Sequence, residues 1–251
     1  MKYKKTGEYK YYENKKNWNF DMFDIETEEL TNWNMYEILK ELTDSSSRVL
    51  DLGTGGGEKV LKCFPSYLKE VVATDFSPSM IETANRNLKN GRRKNIKFMV
   101  MDNLDMDLEK EYFDVVVARN TKIDPKQIYE VLKPGGYLIV RGVDKYDCYE
   151  LKKVFNYGQG YYDKEPISIV DYNNIIDANF HNTELVYIHQ REYYKDYETL
   201  IEFLKIVPIL NDTNMDNKVI DLEKLTYYVK NNTYNNRIKL NRRYYGIVAQ
   251  K

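Results

Sequence analysis

The chain has 251 residues, 42% of them hydrophobic and 31% charged, which is enough for the core of one large domain. Its 38 basic and 39 acidic residues leave a net charge of -1, so it lacks the broad positive surface of non-specific nucleic-acid binders. No run approaches the roughly 18 apolar residues of a membrane span, which excludes membrane insertion. There is no secretory signal and no CxxC spacing of the two cysteines, so we expect a cytoplasmic protein.

A long middle zone, residues 28–143, alternates helical and extended patterns. It opens with a helix predicted over Glu28–Leu42, and its clearest helix is Ser77–Asn90, which has an N-cap serine followed by proline in the first turn. Five short apolar runs predict strands, namely Arg48–Leu52, Val71–Thr74, Ile96–Val100, Phe113–Ala118 and Tyr137–Val143. This alternation indicates βαβ units, so we expect a doubly wound, mostly parallel α/β sheet.

The last zone, residues 144–251, is rich in Tyr and Asn and continues the sheet in weaker patterns. Glu184–Arg191 predicts a sixth strand, and Tyr244–Ala249 predicts a seventh that closes the sheet. Between them, one helical face ends at Pro208 and another begins at Leu222. We therefore predict a seven-stranded sheet with a helical insertion between its last two strands.

The turn after the first strand of this sheet carries the strongest chemical signal. From Asp51 to Gly57 the sequence is Asp-Leu-Gly-Thr-Gly-Gly-Gly, where side chains in place of the glycines would block a tight turn and the approach of a ligand. The second strand ends 22 residues after Gly53, at Asp75, from which a carboxylate can accept both hydroxyls of a ribose. Together the two signals predict a nucleoside-containing cofactor.

Two phosphate-binding alternatives fit this turn poorly. Gly53, Gly55 and Gly57 are spaced G-x-G-x-G, and Glu58 stands where a dinucleotide fingerprint has its third glycine. Asp51 and Glu58 would also place two carboxylates near a diphosphate, an unfavourable like-charge arrangement. No Gly-Lys-Ser/Thr follows the glycines, which excludes a Walker loop. A cationic cofactor without phosphates suits the loop better.

In these residues the chain resembles the class I S-adenosylmethionine-dependent methyltransferases. The resemblance spans roughly residues 48–143 and rests on five segments in order, Asp51–Gly57, Val72–Ser77, Met101–Asn103, Phe113–Ala118 and Val131–Gly136. It implies a Rossmann-like fold with N-terminal and C-terminal helical lid elements, S-adenosyl-L-methionine as the cofactor and no metal. Residues 1–27 would form the N-terminal lid segment. Residues 28–251 would form the methyltransferase domain, with a cofactor-binding half (28–143) and an acceptor-side half (144–251).

The resemblance also assigns roles to individual residues. The glycine-rich backbone would hold the methionine moiety and Asp51 its ammonium group, while Asp75 would bind the ribose. Phe76 or Met80 would pack on the adenine face, and Asp102 would accept from the adenine amino group. The full set expected to contact the cofactor is Asp51, Gly53, Thr54, Gly55, Gly57, Asp75, Phe76, Met80, Asp102, Asn103 and Arg119.

The acceptor side gives fewer signals. Family members that methylate amide or adenine nitrogens resemble one another in an Asn/Asp-Pro-Pro-Tyr/Phe segment after the fourth strand, where this chain has Arg119-Asn120-Thr121. Neither cysteine lies near this strand, which disfavours cytosine-5 chemistry. A small-molecule acceptor is the favoured interpretation, and the 24 tyrosines suit a compact pocket, although a compositional bias explains them more simply. The catalytic residue stays open, with Arg119, Asp144, Tyr146 and His181 as candidates.

Two other functions remain open. An RNA base methyltransferase would need the basic stretches 91–94 and Arg237–Arg243 at the cofactor mouth, whereas we expect both stretches to be solvated faces. A regulatory protein that binds the cofactor without turnover would lack space for an acceptor. The chain is expected to act as a monomer or a homodimer.

Overall fold

The computed structural model describes residues 23–89, 93–210 and 220–251. The strands β1 to β9 are Ile25–Glu29, Arg48–Leu52, Glu70–Asp75, Ile96–Val100, Phe113–Arg119, Leu132–Val143, His181–Tyr194, Thr233–Tyr234 and Arg237–Gln250. The helices α1 to α8 are Met35–Glu41, Glu58–Cys63, Pro78–Lys89, Pro125–Val131, Tyr149–Phe155, Ile167–Asp177, Tyr197–Ile206 and Leu222–Asn231, and a short 3-10 helix follows α7 at Pro208–Leu210. No helix within these ranges is long and apolar enough to cross a membrane.

All nine strands form one sheet in the order β1-β7-β9-β6-β5-β2-β3-β4, with β8 paired to β9. Strands β2 to β6 are parallel to one another, and the remaining strands pair antiparallel. The chain runs outward from β2 through β3 to β4 and then returns to β5 on the other side of β2. In such a sheet, ligands bind outside the carboxyl ends of the strands at the point where the strand order reverses. The gap between the ends of β2 and β5 is that point.

The doubly wound α/β fold predicted from the sequence is confirmed, and all seven predicted strands are present. Strand β1 and the two-residue strand β8 extend the sheet to nine strands. The helix predicted over Glu28–Leu42 is wrong at its start, because Ile25–Glu29 pairs antiparallel with β7 and α1 begins only at Met35. The predicted boundary at residue 27 falls inside β1. The rest of the predicted lid segment, residues 1–22, lies outside the described residues.

Side chains alternate between the two faces of the sheet and build two cores. Val49, Val115 and Val117 pack with α1, α2 and α3 on one face, which we call the α1 face. Leu50 and Val116 pack with α4 and α6 on the other, which we call the α6 face. Because consecutive strand residues point to opposite faces, Asp51 lies on the α1 face, as do the residues in register with it.

A third core covers the part of the sheet that projects past the other strands. Strand β6 ends where Val143 pairs with Tyr244, but β7 and β9 continue pairing as far as Tyr194 and Ile238. Helices α5, α7 and α8 pack on this projection through buried apolar side chains. We call this group the lid cluster. It lies beyond the carboxyl end of β6, which is the side on which the reversal point opens.

Candidate functional site

The turn after β2 has a backbone that only glycine adopts easily. Gly53, Gly55 and Gly57 have φ of 73°, 59° and 77°, in the left-handed region. A Cβ on Gly53 would lie 2.6 Å from Cβ of Thr121, and one on Gly57 would lie 2.6 Å from Cζ of Phe98. Gly53 and Gly57 therefore bring the turn close to the residue that follows Asn120 after β5 and to the Phe98 ring of β4.

Asp75, the last residue of β3, is fixed by this turn. Its Oδ2 accepts the N–H of Gly55 at 2.9 Å, and its Oδ1 accepts the N–H of Ser77 at 2.9 Å. Burial raises the pKa of the carboxyl, and the two N–H donors oppose that rise. A carboxylate oxygen accepts more than one hydrogen bond, so each oxygen keeps acceptor capacity for a further donor such as a ribose hydroxyl.

Asp51, at the end of β2, is buried beside the same turn. Burial raises the pKa of its carboxyl to about 7. A hydrogen bond from the Thr54 hydroxyl and the Arg119 guanidinium act in the opposite direction, and Asp75 adds to the rise. A cationic ligand group with hydrogen-bond donors would stabilise the ionised form of Asp51.

The residues predicted at the adenine are held beside β3 and β4. Asp102 accepts the N–H of Leu104 through Oδ1 at 2.9 Å. The Asn103 side chain is buried and donates to Thr121 Oγ1 at 2.9 Å, which leaves its backbone rather than its amide for a ligand. Met80 is buried, and Phe76 is half-buried next to Asp75. These positions are compatible with the predicted roles, which stay predictions.

On the acceptor side, two arginines stand next to each other. Arg119 ends β5, Arg141 lies near the end of β6, and the two are register partners in the parallel pair. Tyr36 of α1 lies among them: burial raises the pKa of its hydroxyl to about 12, Arg119 and Arg141 act to lower it, and Asp51 acts to raise it. The Arg141 guanidinium also lies 3.8 Å from the ring centre of Tyr244 on β9. These side chains continue the site along the α1 face from Asp51 toward the lid cluster.

The structure does not bring the other catalytic candidates to this place. Asp144 is buried and accepts from Ser168 Oγ at 2.8 Å, and Ser168 belongs to α6 on the opposite face. Tyr146 lies in the same loop as Asp144, with its ring 5.3 Å from that of Tyr149. His181 is exposed and begins β7 at the edge that holds the amino ends of the parallel strands. A catalytic role for Asp144 or Tyr146 stays a prediction, and His181 lies at the wrong edge to reach the site.

The sequence analysis did not identify Tyr36, Arg141 or Tyr244. Arg141 had a usable signal, because it is the one charged residue inside the apolar strand segment Leu138–Val143. Tyr36 and Tyr244 had none, since only the packing of α1 and β9 brings them to β6.

The basic stretch Arg237–Arg243 is not the solvated face that we predicted. Arg242 is buried and pairs with Asp147 at 2.9 Å and with Glu192 at 2.8 Å. In the other basic stretch, Arg93 donates to the backbone oxygen of Phe64 at 2.7 Å. Both arginines act within the fold, so neither is free for a polynucleotide.

Comparisons with known proteins agree on one kind of activity. A model of the methyltransferase domain family matches residues 43–198 of this chain. Over 109 residues, the chain is 28% identical to ribosomal protein L11 methyltransferase of Listeria innocua, covering 42% of this chain and 35% of that protein. Over 100 residues, it is 36% identical to demethylmenaquinone methyltransferase of Lactococcus lactis, covering 36% of this chain and 40% of that protein. The chain thus spans less than half the length of these curated relatives.

One solved structure matches the fold of this chain over almost all of the solved chain's length. It is that of a candidate methyltransferase from Bacillus halodurans C-125, with a TM-score of 0.61 and 17% sequence identity. The match covers 87% of this chain and 98% of that one.

Proposed function

This chain belongs to the methyltransferase domain family, and on that premise we propose that it transfers a methyl group from S-adenosyl-L-methionine to a small-molecule acceptor. The observation that carries the proposal is the arrangement of Asp51, the glycine turn and Asp75 around the reversal point of the sheet. Two carboxylates and a left-handed glycine turn at this point suit a ligand that combines an ammonium group with a ribose.

The residues present fit this cofactor. Asp75 is held by two backbone donors and keeps acceptor capacity toward the crevice, as a ribose requires. The buried Asp51 carboxylate suits the ammonium group. Arg119 lies within electrostatic reach of Asp51, where it would bind the cofactor's carboxylate. The protein would thus hold both charged groups of the amino-acid moiety.

When bound, the cofactor would supply an electrophilic methyl group on a sulfonium: the acceptor's nucleophile would bond to the methyl carbon in line with the carbon–sulfur bond, which breaks and leaves S-adenosylhomocysteine. The protein's part is to position the acceptor and exclude water. Tyr36 has a pKa of about 12, so its hydroxyl stays protonated at neutral pH and can donate a hydrogen bond to a bound acceptor. The lid cluster, beyond the carboxyl end of β6, lies on the same side of the sheet as this site. None of these tasks requires a covalent intermediate on the protein.

Two features support a small acceptor over RNA. The net charge is -1, and the stretch Arg237–Arg243, which an RNA methyltransferase would need at the cofactor mouth, contributes a buried ion-paired arginine instead. The named relatives act on a ribosomal protein and on demethylmenaquinone, and their matches cover less than half of either chain. The acceptor class is therefore inferred from this chain's own charge and ion pairs.

The proposal is tested with S-adenosylmethionine labelled in its methyl group. We would incubate the protein separately with a small-metabolite extract, with total RNA and with ribosomal protein, and then measure the label by size fraction. We expect label in the small-molecule fraction, at a rate nearly independent of salt. Label in RNA, with activity that falls steeply between low and moderate salt, would replace our acceptor class by the RNA alternative.

A second prediction concerns the pH dependence of cofactor binding. The Asp51 carboxyl has a pKa of about 7 in the free folded chain, against an ordinary 3.8. At a pH between these two pKa values, Asp51 is protonated in the folded chain and ionised in the unfolded chain. The contribution of Asp51 to the free energy of unfolding therefore falls as the pH rises through this range. An ammonium ligand favours the ionised form. We therefore expect affinity for S-adenosylhomocysteine to rise about tenfold from pH 6 to pH 8.

Calorimetry at several pH values measures this slope. The Asp51→Asn variant should bind more weakly and lose most of the pH dependence. Asp177→Asn, which changes an exposed carboxyl at the end of α6, should keep the wild-type slope. A slope that persists in Asp51→Asn would show that another group titrates on binding.

A further inference from the structure

Arg119 and Arg141 form an unusual pair at the carboxyl ends of β5 and β6. As register partners on adjacent parallel strands, their backbones are about 4.8 Å apart, and their side chains project from the same face of the sheet. Both are half-buried. The fold thus places two guanidinium groups side by side between the cofactor turn and the lid cluster.

Neither guanidinium has a carboxylate partner among the residues that the structure describes. Arg141 donates from Nη1 to Asn120 Oδ1 at 3.4 Å and contacts Tyr244, with its guanidinium over the ring and near the hydroxyl. Arg119 lies near Asp51, but no ion pair of 4.0 Å or less joins it to a carboxylate in the described ranges. Within the described residues, neither positive charge is therefore neutralised by a carboxylate in direct contact.

A third arginine on the same face shows a different arrangement. Arg242 also lies near the Tyr244 ring, with its guanidinium 5.1 Å from the ring centre, and two carboxylates bind it directly. The chain thus supplies acidic partners to the arginine that it buries for stability. It supplies no acidic partner to Arg141, although both arginines lie near the same Tyr244 ring.

This lack of a partner is costly unless a ligand provides one. Burial lowers the pKa of Arg141, Tyr244 acts to raise it, and the positive charges of Arg119 and Arg242 lower it further. A half-buried cation with two other cations nearby is stabilised by an anion that hydrogen-bonds to it. The planar guanidinium matches the oxygens of a carboxylate or phosphate in two parallel hydrogen bonds.

The cofactor does not provide enough negative charge for both arginines. S-adenosylmethionine has one carboxylate, together with an ammonium group and a sulfonium that are both positive. Its carboxylate is within reach of Arg119, because Arg119 neighbours Asp51, which we propose as the partner of the ammonium group. Arg141 is one strand further toward the lid cluster. It faces the space that the acceptor would occupy.

We infer that the methyl acceptor carries an anionic group, a phosphate or a carboxylate, that binds to Arg141 between the ends of β5 and β6. The inference rests on the proposed function, since it concerns the acceptor pocket of that site. Tyr36 and Tyr244 line the same position, and the Tyr36 hydroxyl is available to donate to the anion. Arg141 is then a specificity-determining residue: it selects acidic small molecules and holds them beside the sulfonium.

The test uses protein saturated with S-adenosylhomocysteine, which fills the cofactor's own carboxylate position. We would follow the melting temperature during titration with inorganic phosphate and, in a second arm, with acetate, at constant ionic strength maintained with chloride. Whichever anion binds more strongly identifies the group. For wild-type protein we expect saturable stabilisation. In Arg141→Gln the apparent affinity should fall about tenfold or more, and in Arg141→Lys, which keeps the charge but loses the paired donors, it should fall less.

Arg191→Gln is the matched control, because Arg191 is a cation on the exposed surface of β7, paired with Glu28. This variant should respond to anions as the wild type does. A wild-type response no larger than that of Arg141→Gln and Arg141→Lys would overturn the inference, since it would reflect a general salt effect. Failure of S-adenosylhomocysteine to bind in calorimetry would instead overturn the proposed function. The anion titration of the free protein would still decide the role of Arg141.

Discussion

Replacing Arg242 by methionine should lower the free energy of unfolding by about 3 to 5 kcal/mol. Arg242 Nε and Nη2 bind Asp147 at 2.9 and 3.1 Å, and Nη1 binds Glu192 at 2.8 Å, all in a buried environment. Burial would lower the pKa of Arg242, but the two carboxylates hold it well above its usual range. Methionine fills a similar volume and leaves both carboxylates buried without their cation, and this is the source of the loss.

Arg237→Met is the matched control on the same strand. Arg237 also pairs with two carboxylates, Asp24 at 3.1 Å and Glu26 at 3.0 Å, but both carboxylates are largely exposed. Exposed ion pairs contribute about 0 to 1 kcal/mol, so this variant should unfold at nearly the wild-type denaturant concentration. Chemical denaturation of the two variants measures the difference. Equal losses in the two variants would show that the buried ion pairs do not hold β7, β9 and the loop before α5 together.

The parallel half of the fold could be predicted because its signals are local. Strands β2, β3 and β5 are short, mostly apolar runs buried on both faces, and α3 has its cap serine and proline within one turn. Strand β1 was missed because Ile25–Glu29 is mostly charged and exposed. Its extended conformation depends on pairing with β7, more than 160 residues away along the chain.

The candidate site also has a part that the sequence predicts and a part that it does not. The apolar pattern of the sequence predicts where β2 and β3 end, and those ends carry Asp51, Gly53 and Asp75. The predicted topology therefore already places these residues together near the reversal point. The partners of Arg242 could not be found, since Asp147 is 95 residues away and reaches it only through the antiparallel pairing of β6 with β9. A charged run in a sequence does not reveal which of its members the fold buries.

Replacing Asp75 by alanine should weaken the binding of S-adenosylhomocysteine by about ten- to a hundredfold. Charge-assisted hydrogen bonds contribute about 1.5 to 3 kcal/mol, and every 1.4 kcal/mol is tenfold in affinity. The carboxylate would lose its bonds to the ribose and also its hold on the N–H of Gly55, which positions the glycine turn. Both losses act on cofactor binding, and the sheet beneath stays intact because its core side chains are unchanged.

Asp114→Ala separates this effect from a general loss of structure. Asp114 also accepts a backbone N–H, that of Arg48 at 2.8 Å, but at the amino ends of the strands, away from the turn. This variant should lose some stability and keep the cofactor affinity of the wild type. A similar fall in affinity in both variants would indicate loosening of the whole sheet.

Calorimetric titration of the protein with S-adenosylhomocysteine, compared among the wild type, Asp75→Ala and Asp114→Ala, is the most direct test that the β2 turn and Asp75 form the cofactor site. The account predicts binding at micromolar or better affinity in the wild type and in Asp114→Ala, and binding weaker by about ten- to a hundredfold in folded Asp75→Ala. No detectable binding by the wild type at millimolar ligand, or unchanged affinity in Asp75→Ala, would contradict it.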